Sequence, residues 1–494
     1  MRKPIYLLIF AGFSLLYAFT AQRGVSWQDS GEFHYRVLVE DYFWISGIAR
    51  AHPAYIAAAE CFVRLFPKAY FFYALNLFSG LGMALALTLL ARLLALLQVK
   101  RTTILITLLT LGLSHMTWWL SSVAEVYTWS LAFLLAELLC VAKLCEKGTQ
   151  AMWLWICLAL LNGLHAAFHN FAFLNLPVYA LLFLYLQRDK PLLRNIVLVL
   201  LTAMAWFMGA SLLVALFQME WRETDSFSAT LKSLLFGREF EDVVTGRRAI
   251  NWPLVKMNLA LASISFFNPV WFFLFAAGRT RHCFTAFKVT LLGLTLLHVL
   301  FWIRYFVPDQ ATFVLPTVAL LSVWVAIGLD SISLNRKQVT VLCAVLLLFS
   351  LATPFVLHHL LTLKQGGVKR ARQLPFREET RYWLYPWKQD EQSAVKFVEA
   401  VQNILKDGDL LIADNTAAGP LMAAQASGQL SKKIRIITFF TGETEAELLR
   451  LVELKDRVYI VSPVPGYASS ALLTGQFTFE KEGVLYRIRK VRHD

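Results

Sequence analysis

Two carboxylates lie three residues apart near the start of the chain, in the stretch WQDSGEF at positions 27–33. They are Asp29 and Glu32, and the first apolar run ends just before them. An acid at a membrane boundary is costly to keep there, and partial desolvation raises its basicity. The motif therefore predicts that Asp29 acts as a general base, with Glu32 on the same side of a helix. The structural alternative is that Asp29 caps the short helix that follows.

A histidine and a proline, His52 and Pro53, follow the acidic motif after an amphipathic piece from His34 to Arg50. The aromatic residues 42–44 of this piece suit a position in the membrane interface. His52 fits two roles, either a hydrogen bond to a phosphate or to the base, or a histidine that faces water.

The turn between two later apolar runs carries Glu125 and Tyr127. An acid at the end of a transmembrane helix is usually paired, and Arg304 and Arg50 are the partners expected first. A structural ion pair and a role in substrate binding both remain open for Glu125.

A second polar stretch follows the apolar run that ends near position 303. It contains Arg304, Tyr305, Asp309 and Gln310. A guanidinium matches the oxygens of a phosphate bidentately, so this stretch predicts a contact with a lipid phosphate. The alternative for Arg304 is snorkelling to the lipid headgroups.

Three polar residues at one helix end, His165, His169 and Asn170, have partly metal-like spacing. Without a third ligand at matching spacing, they favour packing or a polar cavity. We therefore predict no metal and no cofactor.

The elements that position these residues are apolar helices. The 494 residues are 57% hydrophobic and only 16% charged, which indicates a polytopic membrane protein. The apolar runs predict about eleven transmembrane helices of ~20 residues. Basic residues lie mostly in short connections on one side, which predicts a cytoplasmic N-terminus and places Asp29 outside. The net charge of +14 forms no continuous basic face, so nucleic-acid binding is not expected.

The composition changes after position 360. We predict a transmembrane domain over 1–360, a linker over 361–388 and an extracytoplasmic α/β domain with a partly parallel sheet over 389–494. Within it, we predict a strand at 409–413 and a helix at 444–453. Asp414 follows this strand, where it fits either a ligand site or a helix cap.

The chain resembles a bacterial family of membrane proteins related to protein O-mannosyltransferases, within the GT-C glycosyltransferase superfamily. The order and positions of several short motifs carry this resemblance over most of the chain: QDSGEF at 28–33, AHP at 51–53, AEVY at 124–127, and Asp309 with Phe313, Leu315 and Pro316. The chain departs from many relatives at His52-Pro53-Ala54-Tyr55, where they carry a run like His-Pro-Pro-Gly, so no role for His52 is carried over.

The resemblance implies a GT-C-like helical bundle in the bacterial inner membrane that binds membrane lipid and a polyprenyl-phosphate sugar donor. It also implies inverting transfer to an unidentified extracytoplasmic acceptor, with Asp29 as the base. Our own hypothesis adds that Glu32 and Glu125 shape the cleft and that His52 and Arg304 lie near the phosphate. Two other classes stay open at this stage, a lipid or glycan transporter and a non-enzymatic membrane scaffold. A transporter would be expected to show helix breaks in two matching halves, and the sequence has no such symmetry.

Overall fold

The structure is a computed structural model that describes residues 3–147, 151–237, 252–266, 285–304, 310–332, 334–363, 372–438 and 444–491. Up to residue 363, the described chain is a bundle of helices. These helices are α1 (Lys3–Thr20), α2 (Gln28–Leu38), α3 (Pro53–Val63), α4 (Phe71–Leu96), α5 (Arg101–Gly112), α6 (His115–Ser121), α7 (Tyr127–Lys147), α8 (Met152–Phe168), α9 (Ala172–Gln187), α10 (Leu192–Gly209), α11 (Ser211–Thr224), α12 (Phe227–Phe236), α13 (Trp252–Phe266), α14 (Thr285–Arg304), α15 (Leu315–Asp330) and α16 (Arg336–Leu363).

Seven helices of the described chain are long and apolar enough to cross a membrane, and the bent pair α5–α6 makes an eighth if it is one span. The apolar helices α8, α9 and α12 are shorter, with 10 to 17 residues. Helices α8 and α9 match the predicted spans at 151–169 and 171–187, and the predicted span at 254–277 is described only up to Phe266. These three make up the difference from the roughly eleven spans expected from hydropathy. The predicted polytopic, mainly helical fold is confirmed.

Two apolar runs that the sequence predicts as single spans are broken. The run at 103–120 forms α5 and α6, which are bent by 68°. At this break, the hydroxyl of Ser114 donates a hydrogen bond of 2.8 Å to the Leu111 carbonyl, one of those left without an intrahelical partner. The run at 195–217 is divided between α10 and α11 at Ala210. Hydropathy detects apolar length, which is the same whether or not the helix bends between α5 and α6.

The C-terminal unit consists of α17 (Glu379–Leu384), α18 (Ser393–Ile404), α19 (Asn415–Ala426), α20 (Glu445–Leu454), β1 (Leu410–Ala413), β2 (Arg435–Thr438), β3 (Val458–Ile460), β4 (Phe477–Glu482) and β5 (Leu485–Lys490). The strand order is β2-β1-β3-β5-β4. The first three strands are parallel and the last two are antiparallel to their neighbours. All four residues of β1 are buried, as expected for a strand covered on both faces. A C-terminal α/β unit with a partly parallel sheet is thus confirmed.

The C-terminal unit packs on the end of the bundle that carries α2. The backbone N–H of Lys388 donates to the Thr20 carbonyl at 2.7 Å. The indole N–H of Trp27 donates to the Ser393 hydroxyl at 2.8 Å, and its ring packs on Phe397 with centroids 5.1 Å apart. These contacts fix the chain immediately before the acidic motif.

Candidate functional site

Helix α2 places the acidic motif in its first turns. Trp27 is the N-cap residue, and its side chain makes no capping hydrogen bond. Asp29 therefore lies inside the first turn, where a carboxylate is favoured by the helix dipole, and does not cap the helix. Its side chain is 53% exposed. The capping interpretation of Asp29 is wrong, and the carboxylate is accessible to a second molecule.

The second acid of the motif, Glu32, is buried and bound by two arginines. Its carboxylate lies 3.2 Å from Nη2 of Arg50 and 3.6 Å from Nη1 of Arg36. Burial raises the pKa of Glu32 to about 7, although Arg50 and Arg36 oppose this shift. Nη2 of Arg50 also lies 4.0 Å from Oδ1 of Asp29. One guanidinium thus lies between an exposed acid and a buried one.

The loop after α2 is organised around Arg36, which is fully buried. Its guanidinium donates to the carbonyls of Arg50 at 3.0 Å, Asp41 at 3.3 Å and Ala51. It also lies 5.0 Å from the ring of Trp44, which is buried. The predicted amphipathic piece from His34 to Arg50 is therefore not a single interfacial helix. Its helical part ends at Leu38, because the backbone beyond this residue turns so that its carbonyls accept hydrogen bonds from the Arg36 guanidinium.

His52 precedes α3 in a left-handed conformation with φ 47°. Its Nδ1 lies 2.9 Å from the carbonyl oxygen of Phe168, and its ring stacks on His169 at 5.0 Å. Burial lowers the pKa of His52 to about 3, so the ring is neutral at physiological pH. Because a carbonyl only accepts hydrogen bonds, the proton sits on Nδ1 and Nε2 keeps its lone pair. His52 is half-buried, and its Nδ1 side is bound to the protein.

Glu125 and Tyr127 join the same region from the start of α7. The hydroxyl of Ser30 donates to Oε1 of Glu125 at 3.1 Å, and this side chain is buried. The Tyr127 ring packs against His169 at 5.3 Å and against Phe313 at 5.5 Å. One partner of the Glu125 carboxylate is thus a hydroxyl of the acidic motif. The pairing with Arg304 or Arg50 stays a prediction.

The stretch after α14 is only partly described. Arg304 ends α14 and is half-buried, and Gln310 begins a short 3-10 helix (Gln310–Val314). Tyr305 and Asp309, both expected at the site, lie outside the described residues. One turn before Arg304, the ring of Phe301 packs at 6.5 Å from Phe313, which also contacts Tyr127. The end of α14 therefore borders the same aromatic cluster.

A small, mainly apolar pocket of about 10 Å³, room for about one water molecule, adjoins this cluster. The residues that line it are Ile48, Ala49, His52, Pro53, Ala166, Asn170, Phe173, Leu213 and Leu234. Helices α11 and α12 contribute the last two. Asp29 is not part of this lining. It is connected to the cavity through Arg50, which lies between lining residues Ala49 and His52 in the chain.

A second polar cluster lies inside the bundle and was not expected from the sequence. Glu137 is fully buried in α7. Its carboxylate accepts hydrogen bonds from His165 (2.9 Å), Asn162 (3.2 Å), Asn175 (2.8 Å) and Tyr179 (2.7 Å). Nε2 of His165 is in turn 2.8 Å from the hydroxyl of Ser130. A lone glutamate in the apolar run 126–142 was the available signal. The polar-cavity interpretation of His165 agrees with this arrangement.

Within the described ranges, no three His, Cys, Asp or Glu side chains are placed to hold a metal ion. The polar residues that the sequence analysis missed are Arg36 and Ser30, besides the Glu137 cluster. Arg36 follows Glu32 by four residues, which is the spacing of an ion pair on one helix face. That spacing was a signal present in the sequence.

No protein-family model matches the sequence, and no curated protein matches it. The structure is similar to ArnT from Cupriavidus metallidurans bound to undecaprenyl phosphate, with a TM-score of 0.59 and 11% identity over 99% of this chain and 98% of that one. The apo state of the same protein gives a TM-score of 0.56 and 13% identity over 98% and 97% of the two chains. The arabinofuranosyltransferase AftD from Mycobacteria gives 0.52 and 12% identity, over all of this chain and 40% of that one.

These similarities define the class of fold. The chain has the polytopic GT-C fold with a C-terminal α/β unit, as the resemblance implied. The relation to the O-mannosyltransferase branch stays a prediction.

Proposed function

We propose that the chain is a membrane glycosyltransferase that transfers a sugar from a polyprenyl-phosphate donor to a hydroxyl of an acceptor, with Asp29 as general base. The observation that carries this proposal is the contrast between two neighbouring acids. Asp29 is half-exposed beside a guanidinium, whereas Glu32 is buried and enclosed by two of them. A base must be accessible to the acceptor, and Asp29 is the exposed acid of this pair.

In the proposed reaction, the Asp29 carboxylate removes the proton of the acceptor hydroxyl as its oxygen attacks the anomeric carbon of the donor sugar. The bond between this carbon and the phosphate oxygen breaks, and the lipid phosphate leaves with the electron pair. A single displacement of this kind inverts the configuration at the anomeric carbon. The negative charge that develops on the phosphate requires nearby cations, for which Arg50 and Arg304 are the candidates.

Glu32 has a supporting role in this proposal. Its buried carboxylate orients the guanidinium of Arg50 toward Asp29, because both acids lie within 4.0 Å of the same nitrogen. Glu125 is held toward the motif by Ser30 in a similar way. We assign both residues to shaping the cleft.

We assign the lipid part of the donor to the region beside His52, where apolar side chains line most of a small pocket. Undecaprenyl phosphate bound to ArnT, a protein of the same fold, supports a lipid-phosphate donor here. The lone pair on Nε2 of His52 suits a hydroxyl of the substrate as a hydrogen-bond partner. Tyr127, Tyr305, Asp309 and Gln310 complete the expected set of binding residues.

We place the protein in a bacterial inner membrane, with its N-terminus in the cytoplasm and the acceptor on the opposite side.

The test is to compare cell-envelope glycans of a strain lacking the gene after complementation with the wild type, Asp29→Asn and Glu40→Gln. Asp29→Asn keeps the size of the side chain but removes its basicity, so we expect loss of the glycan. Glu40 is an exposed acid just beyond α2 and serves as the matched control. Membrane abundance of each variant is measured in parallel. Full glycan formation with Asp29→Asn would refute the proposed mechanism.

A further inference from the structure

Helix α2 and helix α19 of the C-terminal unit cross with their backbones in contact at two glycines. A Cβ atom added to Gly419 would lie 2.6 Å from the Gln28 carbonyl oxygen, 2.7 Å from the Glu32 nitrogen and 2.8 Å from the Gly31 carbonyl carbon. A Cβ atom added to Gly31 would lie 2.9 Å from the nitrogen of Pro420. Only glycine lets two helices approach so closely.

This crossing lies behind the proposed base. In a helix with about 100° between residues, Gly31 is roughly 200° from Asp29, on the opposite face. The three atoms that surround Gly419 belong to the α2 backbone, in the turn that contains Asp29. The position of α19 therefore determines directly where this turn lies.

Helix α19 also contacts the loop that carries Arg50. Ala418 is fully buried in a cluster with Trp44, Ala51 and Leu216, and Met422 packs against this cluster. Ala51 follows Arg50 directly. One helix of the C-terminal unit thus supports both the segment with Asp29 and the segment with its neighbouring guanidinium.

The N-terminal end of α19 is anchored within its own unit. Asp414 caps the helix through the backbone N–H of Thr416 at 3.0 Å. Both of its carboxylate oxygens bind the guanidinium of Arg372, with one contact at 2.8 Å, and this guanidinium lies 4.1 Å from the ring of Tyr467. The order β2-β1-β3 places the crevice that similar sheets use for ligands beside Asp414. Here the guanidinium of Arg372 lies beside Asp414 in place of a ligand, so the Arg372–Asp414 ion pair serves to hold α19.

We propose that α19 is a positioning element for the proposed active site, with Gly31 and Gly419 as positioning residues that set the location of Asp29 through backbone contact. The C-terminal unit is then part of the catalytic geometry. This inference rests on the proposed function for the role of Asp29, but the contact itself can be tested without any reaction.

A methyl group at position 419 meets backbone atoms of α2 and no flexible side chain that can turn away. Contacts below 3.0 Å require the backbone to shift. A shift on the order of 1 Å is enough to lower the rate of a reaction that depends on alignment by up to about 100-fold. Gly419→Ala should therefore move Asp29 while leaving the remainder of the bundle in place.

The bundle offers a matched control at a second glycine crossing. A Cβ atom added to Gly209 of α10 would lie 2.3 Å from the Leu160 carbonyl oxygen and 2.8 Å from the Leu164 nitrogen of α8. Gly209→Ala thus disturbs a helix contact of similar closeness that does not involve α2. A general loss of stability would appear in both variants, but a displacement of residue 29 would appear only in Gly419→Ala.

The experiment measures the rate at which a membrane-impermeant methanethiosulfonate reagent modifies the full-length protein with Asp29→Cys, by mass spectrometry of the peptide that contains residue 29. We expect Gly419→Ala to change this rate by roughly fivefold or more, and Gly209→Ala to leave it within about twofold. The proposal is overturned if Gly419→Ala leaves the rate within about twofold, or if both variants change it equally.

If Gly419→Ala does not accumulate, Met422→Ala provides a milder change on the same helix, because it removes volume from the cluster with Trp44 and Ala51 without a clash. A change of roughly twofold in the modification rate is expected, and an unchanged rate contradicts the proposal. With Asp29 restored, Gly419→Ala should lower kcat by roughly tenfold and alter KM by less than about twofold. Transfer by Asp29→Asn would refute the base but leave the modification result standing, so the two failures are distinguishable.

Discussion

The guanidinium of Arg50 lies between Glu32, at 3.2 Å, and Asp29, at 4.0 Å, through the same nitrogen, Nη2. The first acid is buried and the second is half-exposed, although they lie only three positions apart in one helix. Glu32 is buried because it packs against the loop whose backbone carbonyls bind Arg36. The shared arginine makes the two acids a single electrostatic unit. We make two predictions for this unit and one for the buried Glu137 cluster.

Changing Arg50 should affect activity more than an ordinary loss of a surface charge. Arg50→Lys keeps the positive charge, but the lysine ammonium is compact and lies at a different distance from the backbone. It therefore cannot replace a planar guanidinium held between two acids. We expect transfer to fall by about 10-fold for Arg50→Lys and by 100-fold or more for Arg50→Gln. Arg64→Gln is the control, since Arg64 pairs with Glu40 and Glu60 and is largely exposed. Equal effects of Arg50→Gln and Arg64→Gln on the glycan product would contradict this assignment.

Glu32 should make the stability of the protein depend on pH. Its pKa is about 7 in the folded chain, against an ordinary value of 4.5, because burial disfavours the carboxylate. Between these values the folded state holds a proton that the unfolded state has released. The stabilising contribution is therefore complete below pH 4.5 and is lost as the pH rises to about 7.

Thermal unfolding in detergent between pH 4.5 and 8 checks this behaviour. Glu32→Gln should remove a decrease in the free energy of unfolding on the order of 1–3 kcal/mol across that range. Glu40→Gln, which changes an exposed acid, should keep the wild-type slope. An unaltered slope in Glu32→Gln would show that another group causes it.

The Glu137 cluster should contribute to stability rather than to the reaction. Its carboxylate accepts four hydrogen bonds, whereas the amide of Glu137→Gln offers one oxygen and sets its NH₂ group against donors such as Tyr179. A loss of about 2–4 kcal/mol is expected, because a buried network that is only partly satisfied is costly. The melting temperature in detergent measures this loss, with Glu146→Gln near the exposed end of α7 as the control. A melting temperature equal to that of the control would contradict the prediction.

Much of the C-terminal unit follows from local patterns. The predicted strand at 409–413 is observed at Leu410–Ala413, and the predicted helix at 444–453 is observed at Glu445–Leu454. Alternating or continuous apolar runs bounded by turn residues are local signals, so a reader of the sequence detects them directly. The bend at Ser114 was missed because hydropathy is insensitive to a local change of helix direction.

The candidate site illustrates the same division. The residue types at Asp29, Glu32 and His52 indicated an acidic site near the start of the bundle, because charged groups beside apolar helices are costly and conspicuous. The pairing of Glu32 with Arg50 and the hydrogen bond from Ser30 to Glu125 were not predicted. Nothing in the local sequence specifies which of several arginines approaches a given acid.

The sequence by itself determined the membrane class, the α/β character of the C-terminal unit and the stretch in which to look for chemistry, since these depend on composition, periodicity and the cost of burying charge. Only the tertiary structure decided that Asp29 is exposed while Glu32 is buried, and that α19 crosses directly behind them at Gly31 and Gly419. The two glycines are 388 residues apart in the chain. Their contact arises from the packing of whole helices, and a residue without a side chain leaves no local pattern that reveals its partner.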